Sequence, residues 1–282
     1  KAKSRIPAGS LAWLWERYTD SLAFSQFSAA TRKKKTNTFK RILAATPDAR
    51  IVEITPKAVR AGIDRRRAKP NVARDFLETL RGMFRWAVKA EIVQTDPTDG
   101  IETPRDRTST GYHVWTEDEC QRYEARWPRG TWERLAFDVL LYTGLRRGDA
   151  VRVGRQHIRD GLIVIKTEKT GEEAFIPILP PLAEALAQGP TGDLTFITGD
   201  RGRNMTKESF GNRFREACKA AGVPGSAHGL RKAMTNRVAH MLTEAELEAL
   251  FGWERGSRVT PIYTNQVVRE RLARQKKKKL ET

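Results

Sequence analysis

The chain has 282 residues, of which 39% are hydrophobic, and its formal net charge is +18 at pH 7. This length and hydrophobic content predict a folded protein with room for two domains and exclude a disordered chain. The sequence contains no apolar run near the roughly 18 residues that a membrane-spanning helix needs and no signal-peptide pattern, so we expect a cytoplasmic protein.

The two cysteines, Cys120 and Cys218, provide neither a disulfide framework nor the ligand spacing of a metal site. The sequence also lacks the known nucleotide-binding loops. We therefore expect no metal ion and no other cofactor. Because the chain begins at Lys1 and not at methionine, we expect it to be a fragment or a processed form of a longer protein.

The excess of basic residues predicts a nucleic-acid partner. Lysine and arginine number 52 against 34 aspartates and glutamates, with clusters at residues 32–35, 65–67, 201–203 and 276–279. Clusters in both halves of the chain suit a protein that surrounds a duplex. No amphipathic basic helix of the lipid-binding type stands out, so DNA or RNA is favoured over a membrane surface.

Residues 1–94 are predicted to form a small helical domain with basic outer faces. Capping and proline signals place one helix from Ser10 to about residue 24, one from Ser28 to Pro47, one from Thr55 to residue 67, and one over residues 71–90. The apolar residues at helical spacing in these helices are typical of core packing. The candidates for DNA contacts on the outer faces are Arg32, Lys33, Lys34, Lys35 and Arg66.

A linker is predicted over residues 95–111, where proline, threonine, aspartate and glycine are frequent and no periodicity is evident. Two of its residues, Arg105 and Arg107, either follow the DNA phosphates or are simply solvated. The sequence supports both interpretations equally.

Residues 112–282 have a different pattern, which predicts helices around a small sheet. Helices are expected over residues 117–126, 132–143, 181–187, 206–221, 230–241 and 243–251, with a final basic helix over 264–278. Two β-branched runs, residues 161–165 and 174–178, flank a polar turn with a glycine and predict a β-hairpin. The predicted fold class is therefore mainly α with a small β-sheet (α+β).

Several side chains of this second domain are suited to holding a phosphate. Arg146 follows a glycine that ends an apolar helix, so its guanidinium is held close to the core, and its fork suits bidentate phosphate contact. His228 and Arg231 are three residues apart at the start of a helix, so both can face one ligand. Tyr263 is the only tyrosine after Tyr142, and cations near such a hydroxyl suggest a phosphate that it attacks.

Lys169 lies at the tip of the predicted hairpin, where its amine can reach into a groove. Lys166 and Lys207 are rivals for this part, but Lys169 alone belongs to the K-T-G turn. Asp149 follows three residues after Arg146 and is placed to hold its guanidinium from behind, either as support for a phosphate contact or as a purely structural partner.

Short motifs in one order carry a family resemblance. They are T-G-L-R at residues 143–146, K-T-G at 169–171, H-G-L-R-K at 228–232 and I-Y-T-N at 262–265, with Trp253 before the last. In this order they resemble the tyrosine recombinases, the integrases of phages and integrative elements. The resemblance covers both domains: the first is similar to the family's core-binding domain and the second to its catalytic domain.

The resemblance implies a site-specific recombinase that integrates or excises a mobile element through a 3′-phosphotyrosyl link, without metal or ATP. The implied catalytic residues are Arg146, Lys169, His228, Arg231, Trp253 and Tyr263, with Asp149 supporting them and Lys232 as a DNA-backbone contact or a solvated residue. In this family's chemistry the arginines hold the non-bridging oxygens and the tyrosine is the nucleophile. The lysine would protonate the leaving oxygen, the histidine would help to accept the tyrosine proton, and Trp253 would position the phosphate or serve only as a core residue.

The segment after Tyr263 has a short apolar stripe, formed by Val267, Val268 and Leu272, on an otherwise basic stretch. Such a stripe is too small to be self-sufficient and needs a partner surface. By resemblance it would dock on a neighbouring subunit of a DNA-bound tetramer; the alternative is that it folds back on its own domain. The resemblance also implies an accessory DNA-bending or directionality protein, and a bacterial or phage-encoded protein associated with the nucleoid.

One departure from the family's pattern is the interval between Trp253 and Tyr263, which is slightly longer than usual and contains Pro261. This departure leaves two alternatives for Tyr263: a position on a helix of its own or on a mobile segment. Two alternatives share the resemblance: a type IB topoisomerase or telomere resolvase, and a DNA-binding protein of the same fold without catalysis. The intact catalytic set argues against the second, and the helical N-terminal domain and the apolar stripe favour a recombinase over the first.

Overall fold

The computed structural model of the protein describes residues 6–104, 111–239 and 241–256. The chain divides into two compact units, Lys1–Ser109 and Thr110–Thr282, and each unit has a hydrophobic core of its own. Within the described ranges, no helix is both long enough and apolar enough to cross a membrane.

The described part of the first unit is helical. Its helices are α1 (Leu11–Thr19), α2 (Leu22–Ser25), α3 (Ala29–Ala45), α4 (Pro56–Asp64) and α5 (Pro70–Lys89), with a 3-10 turn at Ile51–Glu53. The side chains of Ser10, Ser28 and Thr55 each accept a hydrogen bond from a backbone N–H of the following turn. The predicted N-caps are therefore confirmed.

The core of the first unit surrounds α5, whose side chains Leu77, Met83 and Phe84 are almost fully buried. The Trp15 ring stacks on Phe39 with the centroids 4.1 Å apart. Aromatic residues therefore serve as core in this unit, as their helical spacing predicted.

Two helices of this unit end earlier than the sequence indicated. α1 stops at Thr19, because the Ser21 hydroxyl accepts the backbone N–H of residue 24 and starts α2. α4 stops at Asp64, because the chain then closes into tighter turns, such as Arg66 N–H to the Ile63 carbonyl at 2.8 Å.

The second unit combines helices with a small sheet. The helices are α6 (Glu117–Arg126), α7 (Trp132–Thr143), α8 (Arg147–Ala150), α9 (Pro180–Gln188), α10 (Lys207–Ala220), α11 (Ala227–Val238) and α12 (Glu244–Phe251). The strands β1 (Ile158–Arg159), β2 (Leu162–Lys166) and β3 (Glu173–Pro177) form an antiparallel sheet in the order β1-β2-β3. This architecture confirms the predicted α+β class and the hairpin; the two-residue β1 is too short to have been recognised in the sequence.

The centre of the second core is α7, which is buried on nearly every side and packs against α9 and α11. The sheet turns one face inward, so that Ile163 lies opposite Ile176 and both are fully buried. On its outer face Phe175 lies opposite Val164 and is 45% exposed. α12 packs against β3, so this helix and the hairpin support each other.

α11 starts at Ala227, before the predicted start at residue 230, because the Ser226 hydroxyl accepts the Gly229 N–H and caps the helix. It ends at Val238, short of the predicted residue 241. The earlier start places His228 and Arg231 in the first turns of the helix. Tyr263 and the predicted helix over 264–278 lie outside the described residues.

Candidate active site

Arg146 is held at the junction of two helices. α7 ends at Gly144, which has a positive φ of 59° and whose N–H donates to the Leu140 carbonyl. Leu145 then turns into the core, and Arg146 becomes the N-cap of α8, half-buried at the surface. A side chain at Gly144 would meet the Phe251 ring, so only glycine lets the chain turn here.

Arg231 is 4% exposed, and its guanidinium is anchored to two helix ends. Nη1 donates to the Gly144 carbonyl at 2.6 Å, and Nη2 donates to the Phe251 carbonyl at 3.2 Å. These carbonyls belong to the ends of α7 and α12, where the helix dipoles place partial negative charge. These two bonds fix the orientation of the guanidinium fork, a group whose planar set of N–H donors suits contact with a phosphate.

Trp253 lies beside Arg231. Its ring centroid is 5.7 Å from the Arg231 guanidinium carbon, and the ring stacks on Phe251 at 5.1 Å. Trp253 is 5% exposed, so most of its side chain packs in the core. Its indole N–H can donate a hydrogen bond but cannot accept one, so the side chain suits positioning of a phosphate better than proton transfer.

His228 is half-buried on the first turn of α11, and its pKa is lowered to about 4. Burial is the largest cause, followed by the positive charges of Arg231, Lys232, Arg146 and Lys169. These cations come from three separate parts of the chain. Arg146, Lys169 and Arg231 therefore all lie close enough to His228 for their charges to act on its imidazole.

The loop between β2 and β3 carries Lys169, which is exposed, and polar contacts tie this loop to the helices. The Thr170 hydroxyl donates to the Gly252 carbonyl at 2.9 Å. Glu168 forms an ion pair with Lys207 at 2.8 Å, which lowers the pKa of the Glu168 carboxyl. Lys207, which the sequence offered as an alternative to Lys169 for the general acid, is thus paired with a carboxylate of this loop.

Asp149 is buried and fastens the same loop to α8. Its Oδ1 accepts from the Glu168 N–H at 2.8 Å and from Arg152 Nη2 at 2.7 Å. Arg152 Nη2 also donates to the Lys166 carbonyl at 2.8 Å. The sequence suggested Asp149 as a holder of Arg146. The structure shows its carboxylate bonded to the loop and to Arg152, a participant that the sequence did not indicate.

The candidate DNA-contact residues of the first unit differ in their surroundings. Arg32 and Lys33 are exposed on α3. Lys34 pairs with Asp75 at 2.6 Å, and Lys35 donates to a backbone carbonyl of α5 at 3.1 Å. Arg66 donates to the Gly62 carbonyl at 2.6 Å and lies over the Phe76 ring.

The remaining candidates belong to the linker and the second unit. Lys232 donates to the Tyr112 carbonyl at 3.0 Å, whereas Arg105 and Arg107 lie outside the described residues. In the parts of the chain that the structure describes, no three His, Cys, Asp or Glu side chains are grouped as a metal site would need.

The sequence model of the phage integrase family matches residues 116–270. The chain belongs to the phage integrase family. This match spans both the site described above and the segment that contains Tyr263.

Curated relatives of this integrase-family chain include phage and bacterial enzymes. The integrase of Escherichia phage HK022 is 25% identical over 257 residues, which are 86% of this chain and 71% of that protein. The integrase of Escherichia phage lambda is 23% identical over 257 residues, 86% of this chain and 72% of that protein. The tyrosine recombinase XerD of Pseudomonas putida is 27% identical over 222 residues, 72% of this chain and 74% of that protein.

Solved structures share the fold of this integrase-family chain. A lambda integrase dimer bound to a COC′ core site has a TM-score of 0.77 and 22% identity, covering 90% of this chain and 77% of that one. A lambda integrase tetramer bound to a Holliday junction has a TM-score of 0.74 and 24% identity, covering 86% and 76%. The Tn1549 transposon integrase in complex with a circular intermediate DNA has a TM-score of 0.76 and 14% identity, covering 95% and 100%.

Family membership makes this protein a site-specific tyrosine recombinase, an enzyme that acts on DNA. The resemblance found in the short motifs is thereby confirmed. A topoisomerase-like enzyme and a catalytically silent DNA-binding protein are not favoured.

Proposed function

We propose that this recombinase cleaves one DNA strand by attack of the Tyr263 hydroxyl oxygen on a backbone phosphorus. The new O–P bond forms as the bond to the 5′ oxygen breaks, which gives a 3′-phosphotyrosyl link and a free 5′ hydroxyl. The phenolic proton is lost and the 5′ oxygen gains a proton, so charge and atoms balance. Rejoining reverses these steps with a 5′ hydroxyl from a partner strand and needs no ATP.

The observation that carries this proposal is a set of contacts that brings the candidate residues together: Arg231 donates to the carbonyls of Gly144, two residues before Arg146, and of Phe251, two residues before Trp253. Thr170, next to Lys169, donates to the Gly252 carbonyl. Negative charge on the phosphate grows toward the transition state, and fixed cations stabilise it without reorganisation. Arg231, anchored to two helix ends, and Arg146, fixed behind Gly144, would donate to the two non-bridging oxygens. Losing one such donor typically costs about 3 kcal/mol, or about a hundredfold in rate.

Two proton transfers accompany the cleavage. Tyrosine has a reference pKa near 10, so the attack of Tyr263 needs a proton acceptor, and we assign this part to the neutral imidazole of His228. The lowered pKa of His228 keeps that imidazole neutral at physiological pH. Lys169, exposed at the hairpin tip, would protonate the leaving 5′ oxygen.

The proposed substrate is a recombination site in double-stranded DNA, bound by both units of the chain. The charge of +18 supports strong, salt-dependent contact with phosphates. We propose that four subunits assemble on two such sites, because the lambda integrase of similar fold is solved as a tetramer on a Holliday junction. We also propose that it acts on DNA in the cytoplasm of a bacterial host, near the nucleoid; the phage and bacterial relatives support a bacterial setting.

A covalent-trapping assay tests the chemistry. A library of nicked duplexes with a randomised core is incubated with protein in the absence of metal and nucleotide, and SDS-stable adducts are recovered and sequenced. We expect adducts with the wild type, none with Tyr263→Phe, and wild-type amounts with the control Tyr142→Phe. An adduct that survives in Tyr263→Phe, or no adduct with the wild type, contradicts the proposal.

The recovered sites then separate recombination from simple cleavage and rejoining. A second labelled duplex that carries the recovered site is added to the reaction. Recombinant products are expected; religation of the original strand alone identifies a topoisomerase-like enzyme instead.

A further inference from the structure

The segment that precedes α6 lies against the start of α11, and this contact is tightly packed. The Trp115 indole N–H donates to the Ser226 carbonyl at 3.0 Å, and its ring is buried among Tyr123, Phe137 and Phe214. A side chain at Gly225 would meet the Trp115 ring. The path of residues 111–115 is therefore set by the core and not by the active site alone.

Tyr112 lies on this segment and covers His228. The two ring centroids are 4.4 Å apart, with the ring planes inclined by 59°. The Lys232 ammonium donates to the Tyr112 carbonyl at 3.0 Å, one helical turn beyond His228. The tyrosine is thus fastened through its backbone to the same helix that presents the imidazole.

The exposure of Tyr112 is unusual for an aromatic residue with such a contact. Its side chain is 59% exposed, so it contributes less to the core than a buried ring would. An exposed ring that touches a catalytic candidate is better explained by its effect on that neighbour than by the stability of the fold.

We propose that Tyr112 is a positioning residue of the recombinase: its tilted ring packs against the His228 imidazole and fixes the orientation in which this base meets the attacking hydroxyl. The inference rests on the proposed function, in which His228 accepts the proton of Tyr263. No contact of Tyr112 with DNA is required for it.

Covering the imidazole has an electrostatic consequence. The charged groups that act on His228 are Arg231 and Lys232 of α11, Arg146 before α8, and Lys169 of the hairpin loop. Burial is nevertheless the largest cause of the lowered pKa, and the Tyr112 ring is part of that burial. Removing the ring lets water reach the protonated imidazole and raises the pKa, while the four cations stay in place.

The first test is an NMR titration of the histidines in the free protein. The sequence has four histidines, and the His228 signal is assigned by its loss in His228→Asn. In Tyr112→Ala we expect the pKa of His228 to rise by about one unit, whereas Tyr112→Phe, which keeps the ring, retains the wild-type value. Phe175→Ala removes a comparably exposed ring from the outer face of the sheet and serves as the control.

The second test is the pH profile of single-turnover cleavage on a trapped site. Tyr112→Ala should lower the cleavage rate about tenfold and move the acid limb of the profile to higher pH, and Tyr112→Phe should restore both. A purely structural role would lower the amount of active protein without moving the profile.

The outcomes separate this inference from the proposed function. If wild type cleaves, and Tyr112→Ala leaves both the His228 titration and the profile unchanged, the positioning role is wrong. A Tyr112→Phe variant as impaired as Tyr112→Ala also contradicts it, because the ring would then not be the active part. If the wild type forms no adduct, the proposed function fails, while the titration still decides whether Tyr112 controls His228.

Discussion

The buried carboxylate of Asp149 accepts the backbone N–H of Glu168 at 2.8 Å, and so joins α8 to the loop that carries Lys169. Arg146 starts α8, so one hydrogen bond relates the position of a proposed phosphate ligand to that of the proposed general acid. A lysine has a long, freely rotating side chain. Its placement therefore depends on how firmly the loop backbone is held.

Replacing Asp149 by alanine should release this loop. We expect cleavage to fall at least about tenfold with DNA binding largely retained, and hydrogen exchange at the Glu168 N–H to accelerate. Asp149→Asn keeps an acceptor oxygen, so its cleavage rate and its exchange rate at the Glu168 N–H should lie between those of the wild type and of Asp149→Ala. The exposed Asp193→Ala is the control, and unchanged exchange in Asp149→Ala would show that the loop is held by other contacts.

Gly144 should be intolerant of any side chain. It has a φ of 59°, and a Cβ atom there would meet the Phe251 ring. Gly144→Ala is expected to lower the free energy of unfolding by about 2 kcal/mol or more, from backbone strain and displacement of Phe251. Gly222→Ala, with a φ of 64° and no atom within 4 Å of the added carbon, should cost about 1 kcal/mol. Equal losses in urea unfolding would rule out the contact with Phe251.

Arg231 should not be replaceable by lysine, although the charge is kept. A single ammonium cannot reproduce the planar fork that reaches the Gly144 and Phe251 carbonyls. We expect Arg231→Lys to lower single-turnover cleavage by about a hundredfold or more with smaller loss of binding. Arg215→Lys, on the exposed side of α10, is the matched control. Cleavage near the wild-type rate would mean that charge alone is sufficient.

The stability of the protein should depend on pH through His228. The unfolded histidine takes up a proton near pH 6.5, but the native one only near pH 4. The unfolded state therefore binds more protons between these values, so this contribution to stability is complete above about pH 6.5 and is lost as the pH falls through about 4. In urea unfolding, the free energy of unfolding should fall less between about pH 7 and about pH 5 for His228→Gln than for the wild type. Identical losses would contradict the low pKa.

Truncation after Asn265 should separate assembly from DNA binding. It removes Val267, Val268 and Leu272 together with the basic end of the chain. We expect synapsis of two sites, measured by native gel or light scattering, to weaken more than binding to one site. Substituting only the three apolar residues by serine keeps the charge and should give the same result. An equal loss of both activities would show that the tail acts only through its charge.

Local features of the fold were readable in the sequence because they depend on neighbouring residues. Ser10, Ser28 and Thr55 cap helices through hydrogen bonds that reach only three residues along the chain. The bounds of α7 followed from an apolar run that ends at a glycine, and the β2–β3 hairpin from two apolar runs around a polar turn with a glycine. The pair His228 and Arg231 and the turn at Gly144 also belong to this class.

The sequence by itself therefore determined the fold class, the order of the motifs and the chemistry that they imply. Only the tertiary structure decided which residues hold them in place. Asp149 meets Glu168 across 19 residues, Arg231 meets the Gly144 carbonyl across 87, and Lys232 meets the Tyr112 carbonyl across 120. The acceptors at Gly144 and Tyr112 are backbone carbonyls, which every residue type carries, and the donor at Glu168 is a backbone N–H, which every type but proline carries. Because such partners leave no mark on the amino-acid pattern, only packing in three dimensions selects them.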